Sequence, residues 1–117
     1  MRSLLAVLLI ALPTAASAEM FMLPDGSWWQ SIDPPAKWLT APDRGPMNVK
    51  VVPSKQIAEL CYRADGSAEE HGCAFVRETD CDIYIAEELR EHDTMFANIL
   101  EHERAHCRGW KPSHPMD

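Results

Sequence analysis

Four cysteines, Cys61, Cys73, Cys81 and Cys107, crowd into the second half of a 117-residue chain. Paired with one another, they close two loops and pin the segments between them, which leaves room for one small stapled domain. Spacing and compartment decide whether they pair or hold a metal. No CxxC pair occurs, and thiolate zinc sites are built from such pairs. Met1-Arg2 is a short positive start, Leu4 to Leu12 is an unbroken apolar run, and Ala16-Ser17-Ala18 is a small-residue cleavage site. That layout is a secretory signal peptide, and it implies export to an oxidising compartment, periplasmic or extracellular. The apolar run is far shorter than the roughly 20 residues that span a bilayer, so residues 1–18 are expected to be removed. Four cysteines allow three pairings. Cys61–Cys73 with Cys81–Cys107 is the favoured one.

Charge narrows the partners. The chain has 11 Lys and Arg against 18 Asp and Glu, a net charge of −7. Cleavage after Ala18 removes only Arg2, so the mature balance is 10 against 18, or −8. An acidic chain is a poor ligand for nucleic acid and for anionic membrane surfaces. No later segment is apolar enough to span a bilayer, so no stable membrane insertion is expected after cleavage. A monomer is expected.

Residues 19–47 differ from the rest. Pro24, Pro34, Pro35, Pro42 and Pro46 interrupt them, and no helical or strand period survives. Phe21, Trp28, Trp29 and Trp38 are nevertheless too many large apolar groups for a solvated linker. The segment reads as an irregular arm that wraps a small domain and buries those rings. A propeptide-like or partner-binding segment is the sharper alternative.

Residues 48–117 read as one α+β domain, with a short antiparallel or mixed sheet packed on two helices. Asn48 to Val52 alternates and ends at Pro53, which makes it a strand. Ser54 can cap a short helix that carries Ile57, Ala58, Leu60 and Cys61 to about Arg63. A loop from Ala64 to Gly72 follows. Cys73 to Arg77 and Asp82 to Ala86 are strands that Glu78-Thr79-Asp80 can join as a hairpin. The last helix is capped by Asp93 or Thr94, carries Phe96, Ile99, Leu100 and Ala105, and ends at Gly109 ahead of Pro112.

That helix holds the chemistry. His102-Glu103-Arg104-Ala105-His106 places two histidines four apart, one turn above the other on one face. Two imidazoles so placed reach one metal ion, and zinc takes them at about 2.0–2.1 Å while keeping a position open. Glu103 lies beside the metal rather than on it, where a carboxylate takes a proton from activated water. Two surface histidines near a helix C-terminus are the ordinary alternative, since their charge complements the helix dipole.

The segment from His102 to His114 resembles the zincin metallopeptidases, particularly those written HExxHxxG and continued to a third histidine. Gly109 matches the glycine that lets the chain turn back beneath the metal. Pro112 stands where the metzincins have their third histidine, and His114 comes two residues later. The resemblance implies a zincin-like domain with zinc on His102, His106 and His114. Asp117 is the fallback ligand, because some zincins use an aspartate; upstream, Glu87, Glu88 and His71 stay open. The resemblance also implies that Asp82 to Ala86 is an edge strand pairing with an extended peptide. No methionine turn follows the motif. His71 and His92 otherwise read as surface or loop histidines. Trp110 reads as a core group under the turn, and Cys107 as a staple from helix to hairpin.

Three functions fit. The resemblance implies a zinc metallopeptidase acting on peptide or protein, with Glu103 as general base. A zinc-stabilised envelope binding module without turnover is the alternative, because a small domain gains much from a metal and two disulfides. A disulfide-bonded interaction protein that uses the tryptophan-rich arm is the third.

Overall fold

The alternating run through Ile83 and Ile85 forms the centre of the domain. In a computed structural model, which describes residues 20–23, 26–65 and 71–116, strand β3 (Met47–Val52) lies parallel to β5 (Cys81–Ala86). Strand β4 (Gly72–Val76) lies antiparallel on the other side of β5, so the sheet order is β3-β5-β4. A parallel pair needs a long crossover. Helix α2 (Ser54–Asp65) and β4 supply it between β3 and β5. The hairpin turn closes through the Arg77 guanidinium, whose Nε donates to Asp80 Oδ1 at 2.7 Å. The signal-peptide residues and Asp117 fall outside the described residues.

The architecture is the expected α+β one, with two corrections. Asp82 to Ala86 is not an edge strand. Ile83 and Ile85 are fully buried and Cys81 and Ala86 nearly so. A strand that apolar gains most with neighbours on both sides, and the shorter β4 takes the edge instead. The second correction concerns the arm. It contains a ribbon of β1 (Met20–Met22) and β2 (Trp28–Gln30) and one helix, α1 (Ala36–Thr40). Among the described prolines of the arm, Pro34 and Pro35 lie between β2 and α1, and Pro42 and Pro46 follow α1 ahead of β3. Pro34 and Pro35 stand just ahead of α1, where a missing N–H costs nothing. Proline density therefore bounds short elements here rather than forbidding them. The rings divide: Phe21 is buried, Trp29 and Trp38 are half-buried, and Trp28 is exposed.

Helix α3 (Asp93–Arg108) packs on one face of the sheet. It begins at Asp93 with His92 as N-cap, so neither Asp93 nor Thr94 caps it by side chain. A 3-10 turn, Glu87–Glu91, leads into it. Its buried stripe is Met95, Ile99, Glu103 and Cys107, one residue per turn. Side chains alternate along a strand, so Cys73 and its neighbour Gly72 face opposite sides of the sheet. Cys73 is bonded to Cys61 of α2, and Cys81, on the Gly72 side, is bonded to Cys107 of α3. The favoured pairing is thus the one present, and it staples one helix to each face. Two such disulfides belong to an oxidising environment. No described helix is long and apolar enough to cross a membrane.

Candidate metal centre

The end of α3 and the turn after it bring three imidazoles together. His102 and His106 project from successive turns, and their Nε2 atoms lie 3.2 Å apart. His114 Nε2 lies 3.1 Å from that of His102 and 3.2 Å from that of His106. These three residues form the one group of at least three His, Cys, Asp or Glu among the described residues that could hold a metal ion. His71 lines the adjoining cleft but is not in the group. Glu87 and Glu88 are exposed on the 3-10 turn, where Glu88 accepts the Ser54 N–H at the start of α2.

The return of His114 is built locally. Gly109 ends α3 at φ 120°, in the region that favours glycine, with its N–H on the His106 carbonyl. A Cβ there would also strike the Arg44 guanidinium. Residues 111–114 then turn, with the His114 N–H donating to the Lys111 carbonyl at 2.9 Å. His114 takes φ 57°, an uncommon left-handed conformation for a residue with a side chain. Trp110 fixes the loop from below. It is 1% exposed, and its indole Nε1 donates to the Pro115 carbonyl at 2.8 Å. Its ring stacks on His106 at 4.8 Å and meets His102 and His114 edge-on.

Hydrogen bonding on the outer nitrogens sets the tautomers. His102 Nδ1 donates to the Ile32 carbonyl at 2.6 Å, and His106 Nδ1 donates to the Trp110 carbonyl at 2.7 Å. A carbonyl only accepts, so each neutral ring carries its proton on Nδ1 and a lone pair on Nε2. The facing lone pairs of His102 and His106, 3.2 Å apart, repel unless a cation sits between them, and His114 Nε2 stands within 3.2 Å of both. A proton is a poor one: burial, with His106 and His114 as like-charged neighbours, pushes His102 down to about 4, although the Ile32 carbonyl acts the other way. A metal fits. Four-coordinate zinc spaces its imidazole nitrogens by roughly 3.3–3.4 Å, close to the spacing present. Carbonyl-bound Nδ1 atoms are the usual outer support of histidine ligands.

Glu103 occupies a position on α3 that packing alone would give to an apolar side chain. It is 4% exposed, and its Oε1 lies 3.8 Å from His102 Nε2. A carboxylate in the core stripe is costly to bury, which points to a role at the adjoining cluster. Gly72 of β4 lets α3 pack close: a Cβ there would lie 2.9 Å from Ile99 Cγ2 and from the Tyr84 carbonyl, and 3.9 Å from Glu103 Cγ.

A partly open cleft with about 420 Å³ of empty space reaches the cluster, between the arm and the start of β4. Trp29, Ile32 and Ile99 give it apolar walls, and Glu103, His102 and His114 lie at its base. The arm is therefore part of the site, and sequence reasoning missed this because a backbone carbonyl such as that of Ile32 has no side-chain signature. Beside the cleft runs the edge of β4 that pairs with no other strand among the described residues. The His71 carbonyl accepts from Ala86, and the Arg77 N–H donates to Asp80, which sets the phase of the ladder. The backbone groups of Gly72, Ala74 and Val76 then point away from β5. No protein family, curated protein or solved structure matches the chain.

Proposed function

We propose that this chain is an exported zinc-dependent metallopeptidase. One observation carries the reading: three Nε2 atoms converge within 3.2 Å while a buried carboxylate stands 3.8 Å from one of them. His102, His106 and His114 would hold the metal. Bound zinc supplies Lewis-acid chemistry, acidifying water and polarising a carbonyl. Glu103 accepts a proton from water at the base of the cleft and returns it to the departing amine. Burial among Ile99 and the apolar cleft wall keeps that carboxylate from wandering. An extended peptide reaches the cluster along Gly72, Ala74 and Val76, whose outward N–H and C=O groups can pair with it. The disulfides and the apolar start of the chain support export.

The test uses the oxidised chain from Glu19 to Asp117. Zinc content is measured for the native form and for Glu103→Gln, and both are offered a mixed peptide library. The native form is expected to hold one equivalent of zinc and to cleave peptides. Glu103→Gln is expected to keep the zinc and lose at least about a hundredfold in turnover. Undiminished hydrolysis in that variant would sink the peptidase reading. Zinc without hydrolysis in either form leaves a zinc-stabilised binding module.

A further inference from the structure

The candidate centre lies between two clefts of opposite character. The first, already described, is walled by Trp29, Ile32 and Ile99. The second is a wider, shallower depression with about 690 Å³ of empty space, on the far side of His106. Ala74 and Val76 of β4 form one bank, and Gly109, Trp110 and Pro112 form the other. Its charged side chains are Arg44 and Lys111, both exposed. Neither has an ion-pair partner among the described residues. The Arg44 guanidinium lies against the α-carbon of Gly109, three residues beyond His106. Two cations with no ion-pair partner among the described residues therefore line one depression of a chain whose net charge is −7.

The edge of β4 joins the two clefts. Gly72 borders the apolar cleft and Ala74 and Val76 border the basic one, so a peptide following that edge meets both. We propose that Arg44 and Lys111 form a carboxylate subsite, which selects substrates carrying a negative group on one side of the reacting bond and an apolar side chain on the other. This rests on the peptidase reading for the word substrate, although the binding itself does not. The carboxylate has two chemical sources, an acidic side chain or a free chain end. Either is drawn to two cations within a Debye length, against the repulsion of the rest of the molecule. A helix C-terminus also favours a cation at Arg44, but that leaves Lys111 unexplained and requires no ligand.

Binding is measured with zinc-loaded Glu103→Gln, by fluorescence anisotropy, so that turnover does not enter. Three labelled peptides share an apolar residue. One has a glutamate side chain and an amidated end, one has a free terminal carboxylate and no acidic side chain, and one is neutral throughout. At least one carboxylate peptide is expected to bind roughly five- to thirtyfold more tightly than the neutral one, and that peptide identifies the source. Arg44→Glu with Lys111→Glu should abolish the preference while zinc content and circular dichroism stay unchanged. Lys55→Glu with Arg90→Glu, an equal change of charge at two exposed cations outside both clefts, should leave most of it. Equal binding of the three peptides, no binding at all, or a preference that survives the double substitution overturns the proposal. A carboxylate preference in a chain that cleaves nothing retires the peptidase reading and leaves the subsite standing.

Discussion

The arm, residues 20–46, and the stapled unit, residues 47–116, are held by different forces. The unit closes around Ile57, Ile83, Ile85, Met95 and Ile99, all at most 3% exposed, and two disulfides bind its helices to its sheet. The arm inserts Phe21 into that core, packs Leu23 and Trp29 against it, and lies along α3 through polar contacts. Asp33 Oδ1 accepts from Asn98 Nδ2 at 3.2 Å, the Ile32 carbonyl accepts from His102, and Arg108 reaches Asp43 and the carbonyls of Trp38 and Leu39. The unit supplies all three imidazoles, and the arm supplies an outer partner to one of them. Stability and site geometry are thus separable: damage to the unit should unfold the chain, whereas damage to the arm's polar contacts should mainly disturb the metal centre.

The largest effect is expected from the staple on α3. Cys81→Ala with Cys107→Ala opens a link of sequence separation 26. It should lower unfolding free energy by about 3–4 kcal/mol in urea titrations, somewhat more than opening Cys61–Cys73, whose separation is 12. Next comes Phe21→Ala, which removes the arm's most buried ring and should cost about 3 kcal/mol. Trp28→Ala, at 61% exposed, serves as its control and should change stability by less than about 0.5 kcal/mol. Asn98→Ala removes the donor from α3 to Asp33, beside Ile32, and leaves it, among the described residues, only the Ser31 hydroxyl of the arm. It should cost only about 1 kcal/mol of stability, yet weaken zinc binding roughly tenfold, as measured by competition with a chelator. A variant whose stability falls while its zinc affinity holds would erase the distinction between arm and unit.

What the sequence revealed follows the same division. Where side-chain pattern decides structure, it was legible: the alternation of Val49 with Val51 and of Ile83 with Ile85, the Ser54 helix start and the Gly109 stop all correspond to elements. The histidines were legible because their spacing matches a helical turn, and the third because Gly109 and two prolines bend the chain back. Strand order was not, since edge and centre are decided by which partners a strand finds, and only the depth of burial of Ile83 and Ile85 settles it. The core stripe was partly misread: Phe96 and Leu100 are half-buried, and Met95 takes the interior position. The arm's part in the site was invisible, because it acts through the Ile32 carbonyl.

Zinc titration of the native chain beside His114→Ala tests the central claim most directly. One equivalent bound by the native chain, with affinity falling at least about a hundredfold in the variant, is the predicted result. A native chain that takes up no zinc at micromolar concentration, or a variant that binds it as tightly, would contradict the three-histidine centre.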